Sequence, residues 1–397
     1  MVWVGVVIFV IALLLSVGLH ELGHLTTAKA FGMKATRYFI GMGPTLWSTR
    51  RGETEYGVKA FPVGGFVKII GMTSIEDVDP ADEPRAFRRA PGWQRVIVLA
   101  AGSFMHFVLA SVLLFSLALF LGPENDTTTQ LGTVSICVPA SEQALNSGTA
   151  CPAHAPESPA NRAGLRPGDK VTSFNGVRVT TWAQFTNAIK AAKPGKPIAI
   201  TVQRDGKALT VHTELAAVKG REGGFLGIGG AQVFQRATPV GALSAVGTGW
   251  SQTLSGEVST IGHLPSEIPK LFKKNDSSTS SGNVTSMVGV AEVTGQVVAA
   301  PVGWQPKVNF VVQIIASINI FVGVFNLLPL LPLDGGHILA VFLERIRARY
   351  ARWRRRPDPG LFDIQKLAPV SLSIFALVIA LSVVVLLANI VNPVSIG

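Results

Sequence analysis

Two histidines and a glutamate near the amino terminus have the spacing of a metal-binding helix. They lie in the string His20-Glu21-Leu22-Gly23-His24. Residues four apart project from the same face of a helix, so the two histidines can hold one metal ion between them. Glu21 can reach a water molecule on that ion and accept its proton. The motif therefore predicts hydrolytic chemistry that depends on zinc.

The segment around this motif is apolar. Four segments reach the length of about 20 mostly apolar residues that a membrane-spanning helix needs; they are residues 2–28, 96–121, 308–331 and 367–391. Ionisable groups in such a segment are costly and usually functional. A polar patch that joins helices is the alternative interpretation. The first segment lacks a basic start and a cleavage site, so we expect it to be retained rather than removed as a secretory signal.

Two histidines leave a catalytic zinc ion short of one protein ligand. Asp334 is the candidate for the third, because two helix-breaking prolines precede it in the string from Asn326 to Gly336, NLLPLLPLDGG. A helix rises 1.5 Å per residue, so along the helix axis His20 and His24 lie about 14 and 8 Å from Lys29, the first charge of the following connection. Asp334 lies at most about 16 Å from Arg345 in the other connection. The similar depths predict that all three ligands meet in the same half of the bilayer.

The positive charge indicates which half this is. The net charge is +11, and two predicted connections carry much of the basic character. One begins with Lys29, Lys34 and Arg37, and the other contains seven arginines between residues 345 and 356. Short connections rich in Lys and Arg stay on the cytoplasmic side. We therefore expect both termini and residues 122–305 outside the cell, with the metal site in the cytoplasmic half of the bilayer.

The chain has two cysteines, Cys137 and Cys151, and both fall in the predicted outer region. Oxidising conditions there let a disulfide persist. We expect a disulfide that closes a loop and takes no part in chemistry. Two unpaired small residues are the alternative.

Two connections contain predicted folded parts. In residues 54–69, β-branched and aromatic residues alternate with others around Gly64-Gly65, which predicts a β hairpin or looped strand. The acidic residues of 76–83 are interpreted as a solvated loop. Residues 129–215 predict a small α/β module, with strands at 131–138, near 198–204 and near 209–214, and a helix at 181–192. An amphipathic stretch at 239–273 lies on the membrane surface or packs as an outer helix, and the sequence leaves both open.

Together these features resemble the site-2 protease family of intramembrane zinc metalloproteases, and in particular its RseP-like branch. The motifs are HELGH in the first span, the Gly-Gly β loop, and N-x-x-P-x-x-P-x-D-G-G in the third span. The string AGLRPGD at 163–169, followed by Asn175-Gly176, resembles the core of a bacterial PDZ domain. The single PDZ domain, the cysteine pair and the run at 43–57 are most similar to actinobacterial members that act in sigma-factor signalling.

The resemblance implies a polytopic α-helical membrane protein with an inserted extracytoplasmic α/β PDZ domain and a cytoplasmic-side, membrane-associated β hairpin or loop. Its expected parts are four spans at 1–28, 93–121, 305–333 and 365–391, cytoplasmic segments at 29–92 and 334–364, the PDZ domain at 122–217 and an outer linker region at 218–304.

The resemblance also implies roles for individual residues. His20, His24 and Asp334 would bind one zinc ion, and Glu21 would act as general base. Substrate backbone, unwound from its helix, would be held by Asn326, with Asn319 as a second candidate, and by strand addition at the edge around 61–67, where Gly64, Gly65 and Phe66 lie.

Two further histidines are left outside this set. The family usually has asparagine in the pattern A-G-x-x-x-N, where this chain has His106 in the string AGSFMH at 101–106. We interpret His106 as a residue that packs helices together. His337, directly after Gly336, is left unassigned.

The implied function is a zinc-dependent metalloendopeptidase of the bacterial plasma membrane. Its expected substrates are membrane proteins with a single transmembrane helix, in particular anti-sigma factors first trimmed by an upstream site-1 protease, and no nucleic-acid partner is expected. A catalytically silent scaffold with a recruiting PDZ domain is one alternative, but it would have a broken ligand set. A metal transporter is another, and it predicts acidic or histidine pairs on several spans.

Overall fold

The computed structural model describes residues 2–72, 76–122, 128–141, 155–221, 223–231, 236–271, 287–299, 303–357 and 359–391. Its α-helices are α1 (Val2–Ala30), α2 (Gly92–Phe120), α3 (Pro159–Arg162), α4 (Trp182–Ala191), α5 (Pro239–Leu271), α6 (Met287–Ala299), α7 (Trp304–Asn326), α8 (Asp334–Trp353) and α9 (Ala368–Val391). Its strands are β1 (Ala35–Arg51), β2 (Thr54–Ile69), β3 (Leu131–Val134), β4 (Lys170–Phe174), β5 (Val177–Arg178), β6 (Pro197–Arg204), β7 (Lys207–Glu214) and β8 (Ile228–Gly230).

Three of these helices, α1, α2 and α7, are long and apolar enough to cross a membrane. Large apolar side chains point away from the protein along them; on α1, Val7, Ile11 and Leu15 are more than half exposed. Such an outer surface is stable in lipid and not in water, so the chain is an integral membrane protein. Helix α7 ends at Asn326, five residues before the predicted end, because Pro329 and Pro332 cannot continue a helix.

Helix α2 is the centre of the membrane bundle, and it contacts α1, α5, α7 and α8. Glycines permit the close contacts: a Cβ built on Gly23 of α1 would lie 2.5 Å from the carbonyl oxygen of Ala101 in α2. A Cβ on Gly323 of α7 would collide with the ring of Phe107 in α2. Small residues let helix backbones approach where no hydrophobic effect drives the helices together.

The amphipathic stretch at 239–273, whose location the sequence left open, forms α5, and this helix packs against the bundle. Trp250 donates a hydrogen bond from Nε1 to Ser111 Oγ in α2 (3.2 Å), and its ring lies 5.2 Å from that of Phe107. Val240 and Val258 on the same helix are 79% and 71% exposed. One face of α5 therefore packs against the bundle, and the side chains on the other face are exposed.

The connection between α1 and α2 folds into a sheet built from two long, bent strands. The first half of β1 lies between the two halves of β2, so that Tyr38 pairs with both Val67 and Tyr56. The strands bend where Gly41, Gly43 and Gly64 have φ of 89°, 87° and 73°, a backbone conformation that only glycine adopts at low cost. Tyr38 donates a hydrogen bond to the carbonyl oxygen of Gly18 (2.8 Å), which fixes the sheet on α1. The predicted β structure at 54–69 corresponds to β2, and β1 was not predicted.

The α/β module has a four-stranded antiparallel sheet in the order β5-β4-β6-β7, with α4 packed on it. Asn175 and Asp205 each have φ of 49° and precede a glycine, as in two-residue hairpin turns. Thr181 caps α4 by accepting a hydrogen bond from the backbone of Gln184. Strand β3 is shorter than predicted and pairs with β8, so the module continues to about residue 230, into the region assigned to the linker.

Cys137, after β3, is disulfide-bonded. Its predicted partner Cys151 lies outside the described residues, so the pairing stays a prediction.

A partly buried ion pair joins the end of β6 to the turn before β4. Arg204 of β6 donates two hydrogen bonds, each 2.7 Å long, to the carboxylate of Asp169, which is 1% exposed. The backbone N–H of Arg166 donates a third, at 2.9 Å. These hydrogen bonds, and first those from Arg204, lower the pKa of Asp169 below its ordinary value of 3.8.

We expect Asp169→Asn to destabilise the module by about 2 kcal/mol, because it removes hydrogen bonds to a charged group and leaves Arg204 without its anion. The lowered pKa of Asp169 means that the pair contributes fully above pH 3.8 and is lost as the pH falls through the lower folded value. Amide hydrogen exchange of β4 and β6 in the full chain measures the change. Asp205→Asn, in the neighbouring exposed turn, is the control, and equal exchange in both variants would contradict the expectation.

Candidate metal centre

Helices α1 and α8 bring three potential metal ligands to one point. The ring nitrogens Nε2 of His20 and His24 lie 3.1 Å apart. Oδ2 of Asp334 lies 3.3 Å from the first and 3.4 Å from the second. The histidines are 9% and 8% exposed. The structure therefore places the ligand predicted from the third span against both histidines of the first.

These three atoms fit a zinc ion. A tetrahedral site with metal–ligand distances of about 2.0–2.1 Å has ligand atoms about 3.3 Å apart, close to the three distances here. Oδ2 of Asp334 is buried and makes no hydrogen bond to any residue that the structure describes. Electron-rich atoms held this close repel one another unless a proton or a cation lies between them. Two imidazoles and a carboxylate are a usual protein ligand set for catalytic zinc, and they leave a fourth position open.

His24 is oriented by a second contact. Its other ring nitrogen, Nδ1, lies 2.7 Å from the carbonyl oxygen of Val98 in α2. A carbonyl can only accept a hydrogen bond, so Nδ1 carries the proton and Nε2 presents its lone pair to the site. Such outer hydrogen bonds fix the ring and the tautomer of metal-ligating histidines.

Gly102 of α2 makes room for both histidine rings. A Cβ built on it would lie 2.5 Å from Nε2 of His24 and 2.5 Å from Cε1 of His20. The role of this glycine was missed in the sequence, although it belongs to the A-G-x-x-x-N-like string at 101–106. Only the pairing of α1 with α2 shows that Gly102 faces the site.

Asp334 is placed by a tightly folded turn. The chain leaves α7 at Asn326 and re-enters a helix at Asp334, the first residue of α8. A Cβ on Gly335 would collide with the carbonyl oxygen of Leu328, and one on Gly336 would lie 2.8 Å from that of Leu330. The two glycines of the D-G-G string therefore let the start of α8 pack on the turn and hold Asp334 beside α1.

Glu21 lies beside the sheet formed by β1 and β2. A Cβ built on Gly65 would lie 3.1 Å from Cγ of Glu21, and the carboxylate lies against the backbone of Val67. Residues 65–69 pair with β1 on one side, and no other strand of the described chain pairs with them on the other. The predicted edge strand thus runs past the predicted general base. Phe66, next to Gly64 and Gly65, stacks on Phe39 at 5.6 Å.

The two asparagines predicted to hold substrate differ in their surroundings. Asn326 is half-buried at the end of α7, where the turn to Asp334 begins. Asn319 is 1% exposed and lies within the bundle. Its Nδ2 donates to the carbonyl oxygen of Ile315 (2.8 Å) and its Oδ1 contacts Ser16 and His106. These hydrogen bonds tie Asn319 into the bundle, and a substrate contact of Asn319 stays a prediction.

His106 belongs to a buried polar cluster beside the metal centre. Its Nδ1 lies 2.8 Å from Oδ1 of Asn319 and 3.1 Å from Oγ of Ser16, and its ring centroid lies 5.0 Å from that of His20. The cluster joins α1, α2 and α7. Ser16 was missed in the sequence, although it precedes His20 by one helical turn. His337, the other unassigned histidine, lines a small cavity with Phe87.

Gly102→Ala should reduce zinc affinity about 10- to 100-fold, because the added methyl group displaces both histidine rings from their positions. Bound zinc per purified chain, measured by elemental analysis after dialysis against a weak chelator, reports the effect. Gly247→Ala is the matched control, since a Cβ at Gly247 on α5 meets nothing within 4 Å. Equal zinc in the two variants would show that the rings do not depend on this glycine.

Asp334→Ala should remove bound zinc from chain that still folds, because two histidines alone bind the ion weakly. His106→Ala should retain zinc, since the partners of His106 are Ser16 and Asn319. The same zinc measurement tests both variants. Loss of zinc in the His106 variant, with zinc retained in the Asp334 variant, would show that His106 and not Asp334 is the third ligand.

The chain is similar to known proteases over most of its length. Zinc metalloprotease Rip1 of Mycobacterium tuberculosis is 35% identical over 411 residues, covering 98% of each chain. Regulator of sigma-W protease RasP of Bacillus subtilis is 27% identical over 421 residues, covering 87% of this chain and 90% of RasP. Among solved structures, the PDZ domain of the SdrC-like protein of Listeria monocytogenes is 19% identical and covers 24% of this chain and 86% of that domain, with a TM-score of 0.17.

The family model described as Peptidase family M50 matches residues 8–356, which include all three potential ligands and Glu21. The sequence resemblance to the site-2 proteases is thereby confirmed, as are zinc as the cofactor and the enzyme class. The chain belongs to peptidase family M50, the site-2 proteases, and is a zinc metalloprotease of the membrane.

Proposed function

We propose that this protease hydrolyses peptide bonds within or beside the transmembrane segments of single-span membrane proteins, with anti-sigma factors as the substrate class. The observation that carries the proposal is the position of the ligand set. His20 and His24 lie within a 29-residue apolar helix, and Asp334 reaches them from a turn after another apolar helix. A hydrolytic centre at that depth acts on chains that enter the bilayer.

In the proposed mechanism, His20, His24 and Asp334 bind zinc, and Glu21 is the general base. When bound there, zinc would supply Lewis acidity to the attacking water molecule and to the peptide carbonyl. Glu21 accepts a proton from the attacking water and then donates it to the nitrogen of the leaving amine. Val98 keeps the proton of His24 on Nδ1 throughout, so that Nε2 stays a ligand.

A helical substrate must be unwound before cleavage, because helical peptide bonds are shielded by their own hydrogen bonds. We propose that residues 65–69 of β2 accept the extended substrate as an additional antiparallel or parallel strand. The support is that this edge is unpaired on one side within the described chain and that Gly65 lies against Glu21. Asn326, at the turn before Asp334, is proposed to bind a carbonyl or N–H group freed by unwinding.

The proposed topology has four spans in the bacterial plasma membrane. Helix α9, which is apolar over at least Ser371–Leu387, is proposed as the fourth span beside the three helices long enough by themselves. The basic residues after α1 and along α8 favour a cytoplasmic location of those segments, which leaves both termini and the α/β module outside. There the module would act as a PDZ domain that filters substrates by size or reads a carboxyl terminus exposed by an upstream site-1 protease.

The relatives support the choice of substrate class. One is named a regulator of sigma-W protease, and the chain covers nearly the whole length of both relatives described above. A catalytically silent scaffold fits less well, because the three ligands and Glu21 are all in place. Nothing in the described part of the chain adds a second cluster of metal ligands of the kind that a transporter would use.

Glu21→Gln should slow cleavage of a co-expressed single-span substrate about 10²- to 10⁴-fold, as expected for loss of a general base. Bound zinc should stay at the wild-type level, because Glu21 is not a ligand. The fragments are followed by immunoblotting over time, with Glu55→Gln on the sheet surface as the matched control. Unchanged cleavage in the Glu21 variant would refute the mechanism.

A further inference from the structure

Helix α8 has one face packed on the protein. Val341 and Ala351 are 1% and 7% exposed on this face. Glu344 accepts two hydrogen bonds from Arg95 of α2, at 2.6 and 3.2 Å, and both side chains of this ion pair are largely buried. The rotation of α8 about its axis is therefore fixed.

The opposite face of α8 is apolar and uncovered. Phe342, Ile346, Tyr350 and Trp353 are 48%, 62%, 52% and 74% exposed. Their spacing of four, four and three residues puts them in one stripe about 17 Å long. A stripe of this kind on a rigid helix requires an apolar surface to cover it.

Arginines border the stripe. On a helical wheel Arg345, Arg349 and Arg352 lie along one margin, and Arg354, the C-cap residue, lies against the aromatic end of the stripe. None of these four makes an ion pair with a carboxylate among the described residues, and all four are exposed. The surface that covers the stripe must therefore carry negative charge next to apolar matter.

The aromatic end of the stripe has the composition found at membrane surfaces. Arg354 lies over the rings of Tyr350 and Trp353, at 5.6 and 5.2 Å from their centroids, and donates a hydrogen bond to the Tyr350 hydroxyl (3.1 Å). Tyr, Trp and Arg combine an apolar body with a polar group, and such side chains favour the layer between acyl chains and headgroups.

We propose that this arginine-bordered face of α8 docks onto the headgroup layer of a bilayer containing anionic phospholipids. The site of docking is the membrane surface at which α2 begins, since a Cβ on Gly92, the first residue of α2, would lie 3.0 Å from Nε of Arg345. Residues of α8 before Arg345 lead back to the metal centre within the bundle, and residues after it continue the same helix away from that centre. A bilayer is already present there, and its anionic leaflet supplies both acyl chains for the stripe and phosphates for the arginines.

The test reads Trp353 fluorescence in the full-length protein reconstituted into nanodiscs of phosphatidylcholine and phosphatidylglycerol. Bromine atoms, which quench tryptophan, are placed near the headgroup end of the acyl chains of one lipid or the other. The Trp353 signal is the difference between wild type and Trp353→Phe. We expect half-maximal quenching at a lower mole fraction of the brominated lipid when that lipid is phosphatidylglycerol.

Removal of charge should shift this midpoint. The double variant Arg349→Gln and Arg352→Gln should weaken the preference for phosphatidylglycerol about fivefold for each arginine removed. The double variant Arg166→Gln and Arg178→Gln, which removes two exposed charges from the α/β module, is the matched control and should leave the midpoint unchanged. Bound zinc equal to wild type shows that each variant is folded.

Two results would overturn the proposal. Equal quenching of wild-type Trp353 by the two brominated lipids would show that the face does not distinguish anionic headgroups. Absence of quenching by either lipid would show that the stripe is covered by protein or faces water.

Discussion

The close approach of α1 and α2 is the constraint on which the catalytic centre depends. Gly23 and Gly102 lie at this contact, one on each helix, and a side chain on either would collide with the other helix or its histidines. The same approach brings the carbonyl oxygen of Val98 to Nδ1 of His24. A larger separation would lose the outer hydrogen bond and leave the rings free to rotate. The packing of α1 on α2 therefore also sets the orientation of the two histidine rings.

The remaining parts of the site are added to this pair of helices from distant parts of the chain. The sheet of β1 and β2 is fixed on α1 through Tyr38 and brings Gly65 to Glu21. The turn after α7 brings Asp334 to the histidines from more than three hundred residues away in sequence. Between the two lies the whole α/β module, which has its own core and its own ion pair between Asp169 and Arg204. The module and the bundle each bury their own apolar residues, as separately folded parts of one chain do.

Local patterns in the sequence predicted the elements that carry their own signal. The spacing in HELGH, the prolines before Asp334 and the turn glycines of the module each act within a few residues, and the helices and strands around them were predicted close to their observed positions. Contacts between elements could not be predicted in this way. Gly102 and the cluster of Ser16, His106 and Asn319 depend on which helix faces meet. Strand β1 was missed because its outer half is exposed on both faces and therefore shows no alternation.

The turn between α7 and α8 interrupts the helical hydrogen bonds at the position where Asp334 is placed. A continuous helix from Trp304 to Trp353 would satisfy the hydrogen bonds of its backbone groups in the bilayer. Over residues 327–333 the helix, and with it this regular hydrogen bonding, is interrupted. The interruption is tolerable because the turn is packed against the start of α8 and retains hydrogen bonds, including Leu330 N–H to the carbonyl of Leu328 and Leu333 N–H to that of Leu330. It allows Asp334 to begin a new helix, so that its carboxylate points at the histidines while the rest of α8 continues to Trp353. Since α8 is a single helix, the position of Asp334, a potential metal ligand, is tied to the position of Trp353, about 29 Å further along its axis.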